Sequence, residues 1–167
     1  MTAKPLQNPP RTSNAVIGTA VGAVGAVSIA VTALIAPWEG KRNDPYLDIV
    51  KVPTVCYGET QVPMRRYSDA ECVAMLHRAV EARYAPAVYR CVPGLRMRPY
   101  AAAASISLAY NIGTGGFCKS TVARRFNAGD WTGGCNAFAS WVKAGGRVVP
   151  GLVNRRRAEI KICLKGV

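Results

Sequence analysis

No acidic residue stands before Glu39, and no charge of either sign falls between Ala15 and Ala36. Cysteine is missing before Cys56, histidine occurs only as His77, and no C-x-x-C pair is present. Each scarcity excludes something. A single histidine far from metal-ligand spacing to any cysteine argues against zinc, so no metal and no cofactor are expected. Basic residues number 22 against 9 acidic ones, a formal net charge of +13. Apart from Arg65-Arg66, Arg124-Arg125 and Arg155-Arg156-Arg157 they are mostly scattered. A nucleic-acid partner would want a reading module or cations interleaved with stacking aromatics, and neither is found. Anionic lipid and acidic cell-wall polymers remain as polyanionic neighbours.

The length of 167 residues suits one domain with a sizeable core. The six cysteines, Cys56, Cys72, Cys91, Cys118, Cys135 and Cys163, all follow the uncharged stretch. An even count after an export-type segment reads as a disulfide framework formed in an oxidising compartment. Buried free thiols in a cytosolic protein are the alternative. Of about 15 possible connectivities, the expected one joins sequence neighbours, 56–72, 91–118 and 135–163, each tying one hairpin or helix pair.

Residues 1–14 are polar, carry three prolines and two positive charges, and are expected to form a disordered cytoplasmic tail. The 22 residues from Ala15 to Ala36 are long enough to span a bilayer. Lys4 and Arg11 ahead of them favour an amino-terminus-in, carboxyl-terminus-out orientation. Three Gly, seven Ala, three Thr or Ser and one Leu make this a weak span, because small residues offer lipid little apolar area. A cleaved signal peptide, an ordinary anchor with Gly18 and Gly22 packing helix on helix, and an anchor able to leave the membrane all compete. The third is preferred. Glu39, three residues past Ala36, would sit at headgroup level during insertion, where it cannot join a folded cleft.

The run Tyr46–Tyr57 is rich in β-branched and aromatic residues, which predicts two or three short strands with Pro53 at an edge or turn. Beyond residue 67 helices dominate. Ser68 and Glu71 form a capping box, followed by Val73, Leu76, Val80 and Tyr84 at helical spacing, until Pro86 breaks or kinks the helix. Pro99 opens an alanine-rich, centrally buried helix to about Tyr110. Ser120 caps a helix to Asn127, a further helix runs from Trp131 to Ala144, and Asn154 caps the last, through Leu164.

Glu39 and Asp48, with eight residues between them, and Thr54, with five more between it and Asp48, form the candidate site. Two carboxylates across a cleft can cleave a glycosidic bond, one protonating the leaving oxygen and the other supporting attack by water. In isolation, two such acids are as easily surface charge.

The surrounding motifs change that balance. Glu39-x8-Asp48-x5-Thr54 resembles the catalytic triad of phage-type lysozymes, glycoside hydrolase family 24. Thr54-Val55-Cys56-Tyr57-Gly58 resembles that family's T-x-G-x-G turn. Tyr110-Asn111-Ile112-Gly113 followed by Ser120-Thr121 resembles its aromatic-N-x-G loop. Trp141–Gly146 resembles its W-x-x-x-G-G segment, and Gly151-Leu152 with Arg155-Arg156-Arg157 and Glu159 its closing motif. The match covers about residues 39–167. The weak span abutting the acid resembles the signal-arrest-release endolysins, phage lysis enzymes exported in a membrane-tethered, inactive form and then released to the periplasm.

The resemblance implies an α+β, lysozyme-like fold, with a small sheet lobe, a larger helical lobe and a cleft between them. Residues 15–36 would be the release segment and 37–167 the catalytic domain. It implies a muramidase hydrolysing the β-1,4 bonds of peptidoglycan, with the host inner membrane as a transient partner and a monomer after release. Glu39 would be the general acid. Asp48 would stay ionised, Thr54 would help hold the water, and Arg155 would pair with Glu39. The family is described as inverting, which wants a wide carboxylate separation. Tyr110 and Asn111 would line the sugar groove, though Asn111 also reads as a helix end. Arg156 and Arg157 read as a solvated face, and His77 as an exposed helix residue. Two departures stand out: Cys56 replaces the family's first turn glycine, and Glu59 stands where histidine is usual, adding a third carboxylate that either repels Asp48 or points away. A basic, non-catalytic wall-binding module, or membrane disruption by 15–36 alone, are the competing functions.

Overall fold

The computed structural model describes Val27, residues 30–48 and residues 51–167. The expected tail over 1–14 and most of the uncharged stretch lie outside these residues. Among the described residues no helix is long and apolar enough to cross a membrane. The end of the uncharged stretch is helical over 30–35. Val31 and Ile35, one turn apart, are fully buried in the domain core, with Leu34 and Thr32 beside them, while Ala33 faces outward. Spacing by four puts the two branched side chains on one face.

The small lobe is an antiparallel pair, β1 (Arg42–Leu47) and β2 (Pro53–Cys56), in which Tyr46 faces Thr54 and Leu47 faces Pro53. Pairing thus begins four residues earlier than the β-rich run suggests. Pro53 opens its strand, where a missing N–H costs the ladder least. After β2 the chain turns through Gly58, at φ +99, and Glu59 bridges back to Val55.

The helical lobe opens with α1 (Asp69–Ala79), whose capping box is formed: Glu71 N–H donates to Ser68 Oγ at 3.2 Å, and Ser68 N–H to Glu71 Oε2 at 2.7 Å. The expected inward face is rotated. Val73 is exposed, and the buried row is Cys72, Met75, Leu76 and Ala79, because the bond from Cys72 to Cys56 fixes which side faces the small lobe. His77, on the flank of that row, is half-buried rather than exposed. Pro86 does not break the chain of helices. A π-helical turn at Val80–Tyr84 leads directly into α2 (Ala85–Cys91), so the proline falls in a first turn, where its absent N–H is tolerated.

A 3₁₀ turn (Pro93–Met97) leads to α3 (Pro99–Ile112), the central helix, buried at every position from Ala101 to Ala109. Four successive alanines, Ala101–Ala104, let neighbouring backbones approach closely. Gly113, at φ +81, ends the helix. Short helices α4 (Thr114–Cys118) and α5 (Thr121–Asn127) follow, the second capped by Ser120. The expected helix over 131–144 is instead three pieces: α6 (Trp131–Asn136), a 3₁₀ turn (Ala137–Ser140), and a hairpin of β3 (Lys143–Ala144) with β4 (Arg147–Val148). Gly145 and Gly146 both have positive φ, +55 and +77, the demand of a two-residue hairpin turn rather than of a helix end. The last helix, α7 (Pro150–Cys163), packs on α3. It starts at Pro150, not after Asn154, because proline's fixed φ suits the first helical position.

The disulfides join successive cysteines, Cys56–Cys72, Cys91–Cys118 and Cys135–Cys163. They tie β2 to α1, α2 to α4, and α6 to α7. Cys56 sits at φ +60, in the left-handed region that disfavours any residue with a Cβ by roughly 1–2 kcal/mol. That is the position where the resembling turn carries glycine. With the bridge removed by C72A, C56G is expected to raise stability by about 1 kcal/mol. Urea unfolding of C72A against C56G/C72A checks this, and no gain would show that the turn is unstrained.

Candidate active site

The helical end of the uncharged stretch stops in a turn, with Ala36 N–H bonded to the Thr32 carbonyl and Trp38 N–H to the Ile35 carbonyl, each at 2.9 Å. Glu39 follows, its side chain 26% exposed. Arg155 Nη1 donates to Glu39 Oε1 at 2.7 Å across 116 residues of sequence. That arginine is 3% exposed. Its Nη2 donates to the Ser107 carbonyl at 3.3 Å, and its Nε reaches Glu159 Oε1 at 3.4 Å.

Glu159 is wholly buried. It also accepts from Ser107 Oγ at 2.6 Å and from Arg156 Nη2 at 3.0 Å, and Arg156 Nε lies 2.7 Å from its second oxygen. Arg156 is therefore not on a solvated face. It is 1% exposed, turned inward by its spacing of three from Glu159, while Arg157 is exposed as expected. Burial pushes the Glu159 carboxyl above its usual range, against the pull of the two guanidiniums and the Ser107 hydroxyl.

Asp48 and Thr54 meet at a single residue. Val52 N–H donates to Asp48 Oδ1 at 2.8 Å, and Thr54 Oγ1 donates to the Val52 carbonyl at 2.9 Å. The Asp48 N–H also bonds the Val52 carbonyl at 3.0 Å, and Lys51 takes φ +63 in the connection. The hairpin end thus fixes the carboxylate and the hydroxyl together. Thr54 is 3% exposed, and its lone pairs are free of its own donated bond. The structure brings Glu39 to Arg155 and Asp48 to Thr54 by two separate frames.

Tyr110, half-buried on α3, donates from its hydroxyl to the Tyr57 carbonyl at 2.5 Å and lies 4.8 Å, centroid to centroid, from the Tyr84 ring. It bridges the two lobes. Burial pushes its phenol far up from the usual value, and the nearby Glu39 carboxylate adds to the shift. Asn111 is exposed and is the penultimate residue of α3, so it neither ends the helix nor lines a described bond network. Glu59 is buried and turned to Arg83, whose Nη2 lies 3.0 and 3.1 Å from its two oxygens. Its charge is spent on that guanidinium. Among the described residues no group of three histidine, cysteine, aspartate or glutamate side chains is arranged to hold a metal. The arrangement offers one carboxyl beside a buried cation and a second carboxylate and a hydroxyl both held by Val52, a set suited to proton delivery and water activation.

Sequence reasoning assigned no role to Ser107, Arg156, Glu159 or Arg83. The spacings of Glu159 from Arg155 and Arg156, four and three, were the available signal.

The chain is similar to known proteins over most of its length. The family described as Phage lysozyme matches residues 36–159. The chain is 36% identical over 168 residues to a SAR-endolysin of Bacteriophage PS119, covering 94% of this chain and 96% of that one. It is 38% identical over 161 residues to a SAR-endolysin of Enterobacteria phage P21, covering 90% and 94%. Among solved structures, the active form of the P1 phage endolysin Lyz superposes with a TM-score of 0.71 at 25% identity, covering 90% of this chain and 94% of that one.

The lobe-to-lobe bond of Tyr110 has a measurable weight. Tyr110→Phe leaves the Tyr57 carbonyl without its donor and is expected to cost about 1–2 kcal/mol. A denaturant midpoint unchanged from wild type would show that the bond adds nothing.

Proposed function

The chain belongs to the phage lysozyme family, and we propose that it works as a signal-arrest-release endolysin with Glu39 as general acid and Asp48 and Thr54 handling the water. Family membership makes it a phage muramidase, a glycosidase that hydrolyses the β-1,4 bonds between N-acetylmuramic acid and N-acetylglucosamine in peptidoglycan. In the proposed reaction Glu39 gives its proton to the bridging oxygen as the bond from that oxygen to the anomeric carbon breaks. A water held between Asp48 and Thr54 adds to the same carbon and passes a proton to Asp48. Asp48, ionised until then, faces the positive charge that develops on the sugar ring. The Glu39 carboxylate left behind meets Arg155 Nη1. The observation that carries the assignment is that 2.7 Å pair: the first acid of the chain is held inside the folded domain by its last helix, not left on a surface loop.

The tethering part rests on Val31 and Ile35. Both are fully buried in the core, and each aliphatic side chain so buried is worth about 1.5–3 kcal/mol. The same side chains cannot lie in a bilayer at the same time. Ile35 and Glu39 are four residues apart, a reach of at most about 14 Å. While the uncharged stretch is inserted, with its amino terminus inside, Glu39 is held at headgroup level, away from Arg155. Release lets residues 30–35 enter the core, and that brings the acid to its site. The enzyme then acts in the periplasm as a monomer.

Glu39→Gln is expected to lower the release of reducing ends from purified sacculi by at least about a thousandfold, with the thermal midpoint kept. Turnover near the wild-type rate would remove Glu39 from the mechanism. Fractionation of cells before and after the membrane potential is collapsed tests the tether. Full-length chain should move from the membrane pellet to the periplasm, and its presence in the pellet under both conditions would rule out release.

A further inference from the structure

We propose that Glu159 is a positioning residue for the reaction, a buried carboxylate that balances and orients Arg155 so that Arg155 can partner Glu39 without holding it permanently ionised. The proposal rests on the reading of Glu39 as the acid. Its ground is the network itself. Four charged groups stand in series: Glu39, Arg155, Glu159 and Arg156, linked at 2.7, 3.4 and 2.7 Å. Only Glu39 is appreciably exposed. Ser107 closes the network from α3, its hydroxyl on Glu159 at 2.6 Å and its carbonyl on Arg155 Nη2 at 3.3 Å.

The charge count explains why two carboxylates are needed. A lone buried guanidinium beside Glu39 favours the ionised carboxylate, because removing its only counter-charge would orphan a buried cation at a cost of about 3–5 kcal/mol. Such an acid would keep its charge and deliver no proton. With Glu159 present, Arg155 has a counter-charge in both states of Glu39. When Glu39 carries its proton, Arg155 remains paired with Glu159. When Glu39 has given the proton away, the series is neutral. Arg156 in turn compensates Glu159, which would otherwise be a wholly buried anion shared with a cation already engaged elsewhere. The other groups facing Glu39 are the phenols of Tyr110 on α3 and Tyr84 on the π-helical turn, both of which feel its charge and that of the Glu59–Arg83 pair. Asp48, on the hairpin, is the second acid of the reaction. None of these replaces the negative charge behind Arg155.

The test is the pH dependence of kcat/KM on sacculi for two variants of the released enzyme. Glu159→Gln keeps the shape and one acceptor oxygen and removes the charge. The alkaline limb, where the acid loses its proton, should move to lower pH by about one unit, a tenfold loss beyond it, while activity on the acid side is kept. The R156M/E159Q double variant removes the buried partner as well, so that no cation is orphaned by the change. It should recover stability yet keep the displaced limb. An alkaline limb that coincides with wild type in the double variant overturns the proposal and leaves Glu159 a structural residue, as does a uniform loss at every pH in both variants. The two readings fail separately. Turnover by E39Q sinks the acid assignment, whereas an inactive E39Q with an undisplaced limb in R156M/E159Q sinks only the role of Glu159.

Discussion

A buried guanidinium has to be compensated, and Arg155 is compensated from both ends of the chain. Glu39 comes from the residues just after the apolar leader, and Glu159 from the next turn of the same closing helix. The rest of the fold is arranged so that this can happen. Helix α3 must be small-faced for α7 to lie against it, and its Ser107 then supplies both a hydroxyl and a carbonyl to the charged row. The turn at Ala36–Trp38 must end the leading helix for Glu39 to reach inward. An unpaired Arg155 would cost more than most single contacts in the domain contribute. The ion pair is therefore a constraint on the order of events as well as on geometry: the site exists only when the first and last parts of the domain are both in place.

The small lobe answers a different problem. Two strands of six and four residues bury too little to be stable by themselves. The lobe is held by the Cys56–Cys72 bridge, by the Tyr110 hydroxyl on the Tyr57 carbonyl, and by Arg83 on Glu59. All three tie residues of the chain just beyond Thr54. The hairpin end that carries Asp48 and Thr54 is thus anchored close to those two residues, and their side chains are fixed to each other through Val52. Glu59 belongs to this support. Its pairing with Arg83 removes the like-charge conflict that a third carboxylate near the turn would otherwise bring.

Much of this was legible in the sequence, and the misses share a cause. The capping box at Ser68 and the proline-opened central helix are local signals, and each appears where local chemistry puts it. The Gly145-Gly146 pair is also local but ambiguous, since two glycines suit a helix end and a hairpin turn equally. Neighbouring residues then paired as strands and settled it. The rotation of α1, which leaves Val73 outside and Cys72 inside, follows from a long-range bond that periodicity does not see. Arg156 is the clearest case. Arg156 and Arg157 both read as a solvated face, yet Arg156 turns into the core and only Arg157 outward, because an acid three residues from Arg156 selects it. The spacing was available; the burial that gives it weight was not.

The composition of the uncharged stretch acquires a physical sense from its last turn. A leucine-rich span is stabilised in lipid far more than any shallow groove on a small domain can match. A span rich in Gly, Ala and Val is held more weakly. Val31 and Ile35 belong to that stretch, and both are fully buried in the folded core. On the proposed release mechanism, lipid and core compete for the same side chains. Four residues further on stands Glu39. On that proposal, whichever environment takes Ile35 also decides whether Glu39 can reach Arg155, so one competition for apolar surface would govern both location and chemistry.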